Sequence, residues 1–307
     1  MKVFNITLNQ MLVLFAFMAV GFFLSKKKIL PKETSKVLSK LETYLLIPCL
    51  SFQTFYKNCT SENFVATSKY LICGTVLLLI SFLVAILISG FFTKDRYKKN
   101  VYVYSFTIPN LGFMGNALVL GVFGEEVLFQ YMMFYLPFQI YIYTYGLYSL
   151  IPRDSDSKFT LKKLINPTIV AILLGAICGI AEIKIPAVLN TAVAGAASCM
   201  SPLAMIIAGC VIGEYSFKKL TSNPKTYIAS LIRLIVMPVL FVLGLRAVNT
   251  NPEIVRAALC ATALPFGLNT IVFPEAYGGD ATAGAGMALV SHLMAVVTLP
   301  IIFGLLL

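Results

Sequence analysis

Two short stretches of this 307-residue chain carry the residue types from which an uncharged anion site can be built: SFTIPNLGFMGN (Ser105 to Asn116) and ATALPFGLN (Ala261 to Asn269). Each holds a proline inside an apolar run, Pro109 or Pro265. Gly and Asn follow: Asn110, Gly112, Gly115 and Asn116 in the first, Gly267 and Asn269 in the second. A helix-interior proline removes a backbone donor and clashes with the preceding turn, so with Gly and Asn beside it the helix opens. Opened backbone at membrane depth is tolerated only where it is buried in protein or lines a cavity. Two half-helices meeting there aim free N–H groups and positive dipole ends at one point, which suits an anion. The Asn110 amide adds a donor without adding charge. Asn116 and Asn269 are expected to line the same cavity or, in the commoner role, to cap half-helices or bond between helices. The ordinary alternative for any single proline is a packing kink.

Ionisable residues at membrane depth raise a functional question by default. Arg233 would attract anions, lock helix contacts, or snorkel to the inner surface. Glu275, Arg233 and His292 are the candidates for ion or proton coupling, against a solvated helix end for Glu275 and a hydrogen-bonded core histidine for His292. Glu42 and Glu214 read as solvated span ends. No pair of carboxylates adjoins either proline. Seven scattered cysteines and one histidine give no metal-ligand spacing, so neither metal nor cofactor is expected.

The elements that must position these residues follow from composition. The chain is 59% hydrophobic and only 12% charged, with a mean hydropathy of +0.87, against about 25% charged residues in soluble domains. A water-soluble globular fold is excluded, and the length accommodates roughly ten spans of about 20 residues. Apolar runs place them near 7–25, 38–56, 70–92, 100–121, 128–151, 166–182, 187–213, 227–247, 254–276 and 284–305. The net charge of +11 lies in short loops between these runs, so it points to topology rather than to nucleic acid. With the N-terminus outside, seventeen Lys and Arg fall on inner loops and six on outer ones. The positive-inside rule then puts both termini on the extracytosolic side of a multi-pass cell-membrane protein.

The second and seventh spans carry Pro48 and Pro202, and the fourth and ninth carry Pro109 and Pro265, each pair five spans apart. An odd-numbered unit repeated once enters the membrane from opposite sides. The expectation is therefore two inverted five-helix repeats, 1–151 and 166–307, joined by a short cytosolic linker at 152–165. Pro48 and Pro202 lack the Asn/Gly cluster and read as kinks. Gly175-x-x-x-Gly179 and Gly209-x-x-x-Gly213 permit close helix approach, within one subunit first and in a homodimer second.

Several motifs in order resemble the auxin efflux carrier family of transporters. They are LIPCLSF (Leu46 to Phe52), IPNLGFMGN with GVFGEE, NPTIVAILLG, RLIVMP (Arg233 to Pro238), ALPFGLNTIVFPEAYGGD (Ala263 to Asp280) and TLPIIFG. The resemblance implies an all-α membrane fold of the sodium/proton antiporter or bile acid symporter type. Ten transmembrane helices would form two inverted repeats, with broken fourth and ninth helices crossing at Pro109 and Pro265. Helices 1, 2, 6 and 7 would form a scaffold, and helices 3–5 and 8–10 a transport core. It also implies that Asn110 meets a substrate carboxylate and that Ser51 and Gln53 face it from the scaffold. Phe266 and Gly267 would complete the site, although plant auxin carriers place a polar amide where this chain has Phe266.

The function expected is secondary active or facilitative transport of a small organic anion, a carboxylate or auxin-like acid, by alternating access, with the bilayer as the other partner. A cation/proton antiporter on the same fold, a channel and a non-transporting membrane sensor stand beside it. An intramembrane enzyme is disfavoured because H-E-x-x-H, G-x-S-x-G and paired catalytic carboxylates do not occur.

Overall fold

A computed structural model describes residues 2–31, 33–150, 167–277 and 280–307. The expected linker, 152–165, lies outside the described residues. The described chain is helical: α1 (Lys2–Lys26), α2 (34–58), α3 (Ser61–Phe92), α4 (Arg96–Thr107), α5 (Leu111–Phe123), α6 (125–150), α7 (Pro167–Ile180) and α8 (Ala187–Glu214). After a short turn of helix at Phe217–Thr221 come α9 (Pro224–Ala247), α10 (Pro252–Thr262), α11 (Asn269–Tyr277) and α12 (Thr282–Leu306). No strand forms among the described residues. Among the described residues five helices are long and apolar enough to cross a bilayer: α1, Val65–Phe92 of α3, α8, α9 and α12.

Local chemistry sets the boundaries. Thr60, Asp95, Asn223 and Asn251 cap α3, α4, α9 and α10, their side chains accepting from the N–H of Asn63, Lys98, Lys225 and Glu253. Pro224 and Pro252 follow two of these caps at the first helical position, where a missing N–H costs nothing. Gly124, at φ +85°, makes the tight turn from α5 to α6. Two π-helical turns, Glu42–Leu46 and Ile232–Val236, run up to Pro48 and Pro238. Each widens the helix where a proline cannot return a hydrogen bond to the turn before it.

The most intimate packing joins α1 to α8. A Cβ on Gly209 would overlap the carbonyl of Met18, and one on Gly21 the carbonyl of Ile206. Gly175 and Gly179 of α7 lie in the same way against α2, where a Cβ would come 2.5 Å from Phe52 O and 2.7 Å from Cys59 O. Both Gly-x-x-x-Gly motifs are thus spent on contacts within the chain. α3 packs on α4 and α6 and turns an apolar face outward, with Val65, Ile72, Leu83 and Leu87 exposed.

One sequence reading is corrected here. Glu42 is fully buried, and neither carboxylate oxygen has a partner. The reason is the start of α2: the helix begins at Thr34, not near 38, which carries Glu42 about 12 Å along the rod at 1.5 Å per residue. Glu214, by contrast, is exposed at the end of α8, where its Oε1 accepts from Ser35 Oγ at 2.8 Å. A bare buried carboxylate is costly, whereas an amide of the same shape is far less so. Glu42→Gln is therefore expected to keep or raise the melting temperature of the purified protein, by a few degrees. A fall of several degrees would show that the carboxylate has a stabilising partner.

Candidate functional site

The helix that starts at Arg96 stops at Thr107; Ile108 is extended, and the chain turns at Asn110, where the Leu111 N–H donates back to Pro109 O at 2.8 Å, before α5 begins. The helix that starts at Pro252 stops at Thr262, and residues 263–268 lead into α11. The two breaks meet. Pro109 and Phe266 form an antiparallel bridge, and the Asn110 N–H donates to the Pro265 carbonyl at 2.9 Å. Each break thereby satisfies backbone groups that the other exposes, which is how irregular backbone survives in an apolar interior. Gly267 permits the approach: a Cβ there would lie 3.2 Å from Pro109 O.

Buried side chains hold the crossing. Arg233 of α9 donates from Nη1 to Phe106 O at 3.2 Å, placing a cation at the carbonyl end of α4, where the missing next turn leaves acceptors unpaired. At 1% exposure it does not snorkel, which corrects that part of the sequence reading. It lies nine residues into α9, too deep for its head to reach water. Tyr131 of α6 donates to Leu111 O at 2.9 Å, and the Phe266 N–H donates to Ser291 Oγ of α12 at 3.1 Å. The Phe266 ring is fully buried and sits edge-on to Phe106, with centroids 5.6 Å apart.

A cavity of about 100 Å³ opens beside the crossing. Pro109, Asn110 and Gly112 line it from one break, Gly267 and Asn269 from the other, and Thr43, Tyr135, Gln139 and Thr168 from α2, α6 and α7. Among the described residues no Asp, Glu, Lys, Arg or His lines it. Phe266, expected in the site, does not line it either. The first residues of α5 and α11 both border it, so two helix N-termini deliver partial positive charge to one neutral, polar space. Asn110 is buried, its Nδ2 lies 3.0 Å from His292 Nε2, and its Oδ1 has no partner. An unpaired buried amide oxygen is uncommon in a folded protein.

The remaining candidates divide. Asn269 lines the cavity and donates from Nδ2 to Tyr104 Oη at 2.9 Å. Asn116 is buried on α5 and accepts from Tyr135 Oη at 3.1 Å, bonding α5 to α6. Ser51 is buried with an unpartnered Oγ and does not line this cavity. Gln53 lines a second cavity of about 220 Å³ beside the Lys57–Glu125 ion pair. Glu275 lies on α11, with its side chain outside what the structure describes. Sequence reasoning missed Ser291, Tyr131 and Tyr135. The adjacent Ser291 and His292 inside an otherwise apolar helix were the one signal available.

A family model described as membrane transport protein matches residues 6–159 and 149–303. An uncharacterized transporter of Escherichia coli K12, YfdV, is 22% identical over 303 residues, covering 96% of each chain. The uncharacterized transporter MJ1031 of Methanocaldococcus jannaschii is 28% identical over 126 residues, 39% of this chain and 40% of its own. With nearly its whole length matched, the chain belongs to the membrane transport protein family, the auxin efflux carrier family that its motifs resemble.

Proposed function

We propose that the protein carries a small organic anion across the cell membrane by alternating access. The observation that carries this reading is the crossing itself: a neutral polar cavity bordered by two helix N-termini and the Asn110 amide. A carboxylate gains donors and partial positive charge there without meeting a fixed cation that would hold it too firmly to release. In this reading ten spans form two inverted halves, with both termini extracytosolic. The close packing of α1 on α8 and of α2 on α7 supports their role as a scaffold. The elements around the two breaks, α3–α6 and α9–α12, rock or slide against it. Among the described residues no acidic side chain lines the cavity, which favours an anion over a cation as the cargo.

The test is uptake by purified protein in proteoliposomes, with labelled lactate, succinate and indole-3-acetate as probes. Saturable uptake of at least one, with counterflow from preloaded vesicles, is the expected result. Sodium or potassium flux in place of anion flux would favour the antiporter. Saturable binding without flux would favour a sensor.

A further inference from the structure

The contact between Asn110 and His292 has a defined direction. His292 is fully buried on α12, and its Nδ1 lies 2.7 Å from the Ala288 carbonyl, which can only accept. Nδ1 must therefore carry a hydrogen, so in the neutral ring Nε2 is bare and accepts from Asn110 Nδ2 at 3.0 Å. Neutral His292 thus takes one of the two Asn110 Nδ2 hydrogens and fixes the amide with Oδ1, a partial negative charge, unpaired on its other side.

We infer that His292 is a proton-binding site whose occupancy turns the Asn110 amide and so couples a proton to the anion in the adjoining cavity. This rests on the carrier reading and deepens it by naming the coupling ion. A proton added at Nε2 gives a ring that donates from both nitrogens, to Ala288 O and toward Asn110. The amide must then turn about its last bond to offer Oδ1 to the ring, which moves Nδ2 to the position that Oδ1 held. No protein group bonds to that position, and Asn110 lines the cavity. The anion is the partner left for the released N–H pair. Its negative charge also compensates the imidazolium, a cation that burial would otherwise make costly. Linkage is reciprocal: the proton tightens the anion and the anion tightens the proton.

Other groups do not supply this charge change. On the elements packed against α12, the buried ionisable side chains are Tyr102 and Tyr104 of α4, Cys210 of α8 and Arg233 of α9. None of these is hydrogen-bonded to His292, and Arg233 is engaged at Phe106. The half-buried Tyr97 bonds the carbonyls of Leu150 and Asp280. Lys218, on the short helix at Phe217–Thr221 that also packs on α12, is exposed, and the side chains of Lys219 there and of Glu275 on α11 are outside the described set.

Two measurements decide it. The chain has a single histidine, so ring-nitrogen labelling of the full protein in lipid nanodiscs reports on His292 alone. At alkaline pH the proton is expected on Nδ1, with Nε2 bare. Adding whichever of lactate or succinate the protein carries is expected to raise the titration midpoint by about one pH unit, a roughly tenfold coupling. A proton on Nε2 in the neutral ring, or a midpoint that the carried anion does not move, overturns the proposal. In proteoliposomes an inward proton gradient is expected to drive accumulation of that anion and to acidify the lumen with it. His292→Gln is expected to retain anion exchange and lose gradient-driven accumulation about tenfold. Wild-type flux with no accompanying proton, or a variant driven as well as wild type, overturns the coupling and leaves the carrier reading standing. Flux of no probe anion overturns the carrier reading itself. If His292→Gln does not fold, the nitrogen titration of the wild type still decides.

Discussion

Asn110→Asp is expected to abolish carboxylate uptake, by more than a hundredfold, in protein that remains monodisperse. The substitution keeps shape and volume but puts a carboxylate beside the cavity where the two helix N-termini converge. Two like charges about 4 Å apart at an effective dielectric of 20 repel by about 4 kcal/mol, and each 1.4 kcal/mol is roughly tenfold in affinity. The new side chain also lacks the amide hydrogen that Asn110 gives to His292 Nε2. Asn110→Ala removes the donor without adding charge, so its expected loss is smaller, about tenfold. Initial uptake rates over a range of anion concentrations, with melting temperature as the folding control, check both. Rates for Asn110→Asp within a few-fold of wild type would remove Asn110 from the site.

The largest structural effect is expected at Gly209. A side chain there meets the Met18 carbonyl and the Phe22 N–H of α1, with the nitrogen 2.7 Å from the new Cβ. Both obstacles are main chain and cannot rotate aside, so the helices must separate. The reciprocal contact of Gly21 on Ile206 would open with them. Overpacking usually costs 1–3 kcal/mol, and against backbone the cost of Gly209→Val is expected to reach the upper end, about 3 kcal/mol. Loss of the monodisperse species, or a melting temperature lower by about 10 °C, would register it. Gly195, on the same helix, has nothing within 4 Å of the point where a Cβ would stand. Gly195→Ala is accordingly expected to be neutral or slightly stabilising. Equal behaviour of the two variants would show that α1 and α8 are not tightly joined.

The crossing was legible because its signals are local: a proline inside an apolar run with Asn and Gly after it marks a break wherever the chain later folds. Residue 110 could be proposed as a donor for the same reason. What the sequence could not carry was partnership. Asn110 and His292 are 182 residues apart, and no pattern in either segment names the other. Arg233 offered three roles on paper, and only the end of α4 next to it selects one. Glu42 was misjudged because a shift of a few residues in a helix start moves a carboxylate from the water interface into the interior. The Phe266 ring direction followed from backbone pairing at Pro109, which exists only once both halves are assembled.

That dependence has a consequence for biogenesis. The Asn110 N–H finds its acceptor at the Pro265 carbonyl, a residue synthesised much later. Until then the nascent N-terminal portion holds an unsatisfied main chain in an environment without water to relieve it. The first portion expressed by itself lacks the acceptor that Asn110 finds in the second, so the two are expected to mature best as one polypeptide or when supplied together.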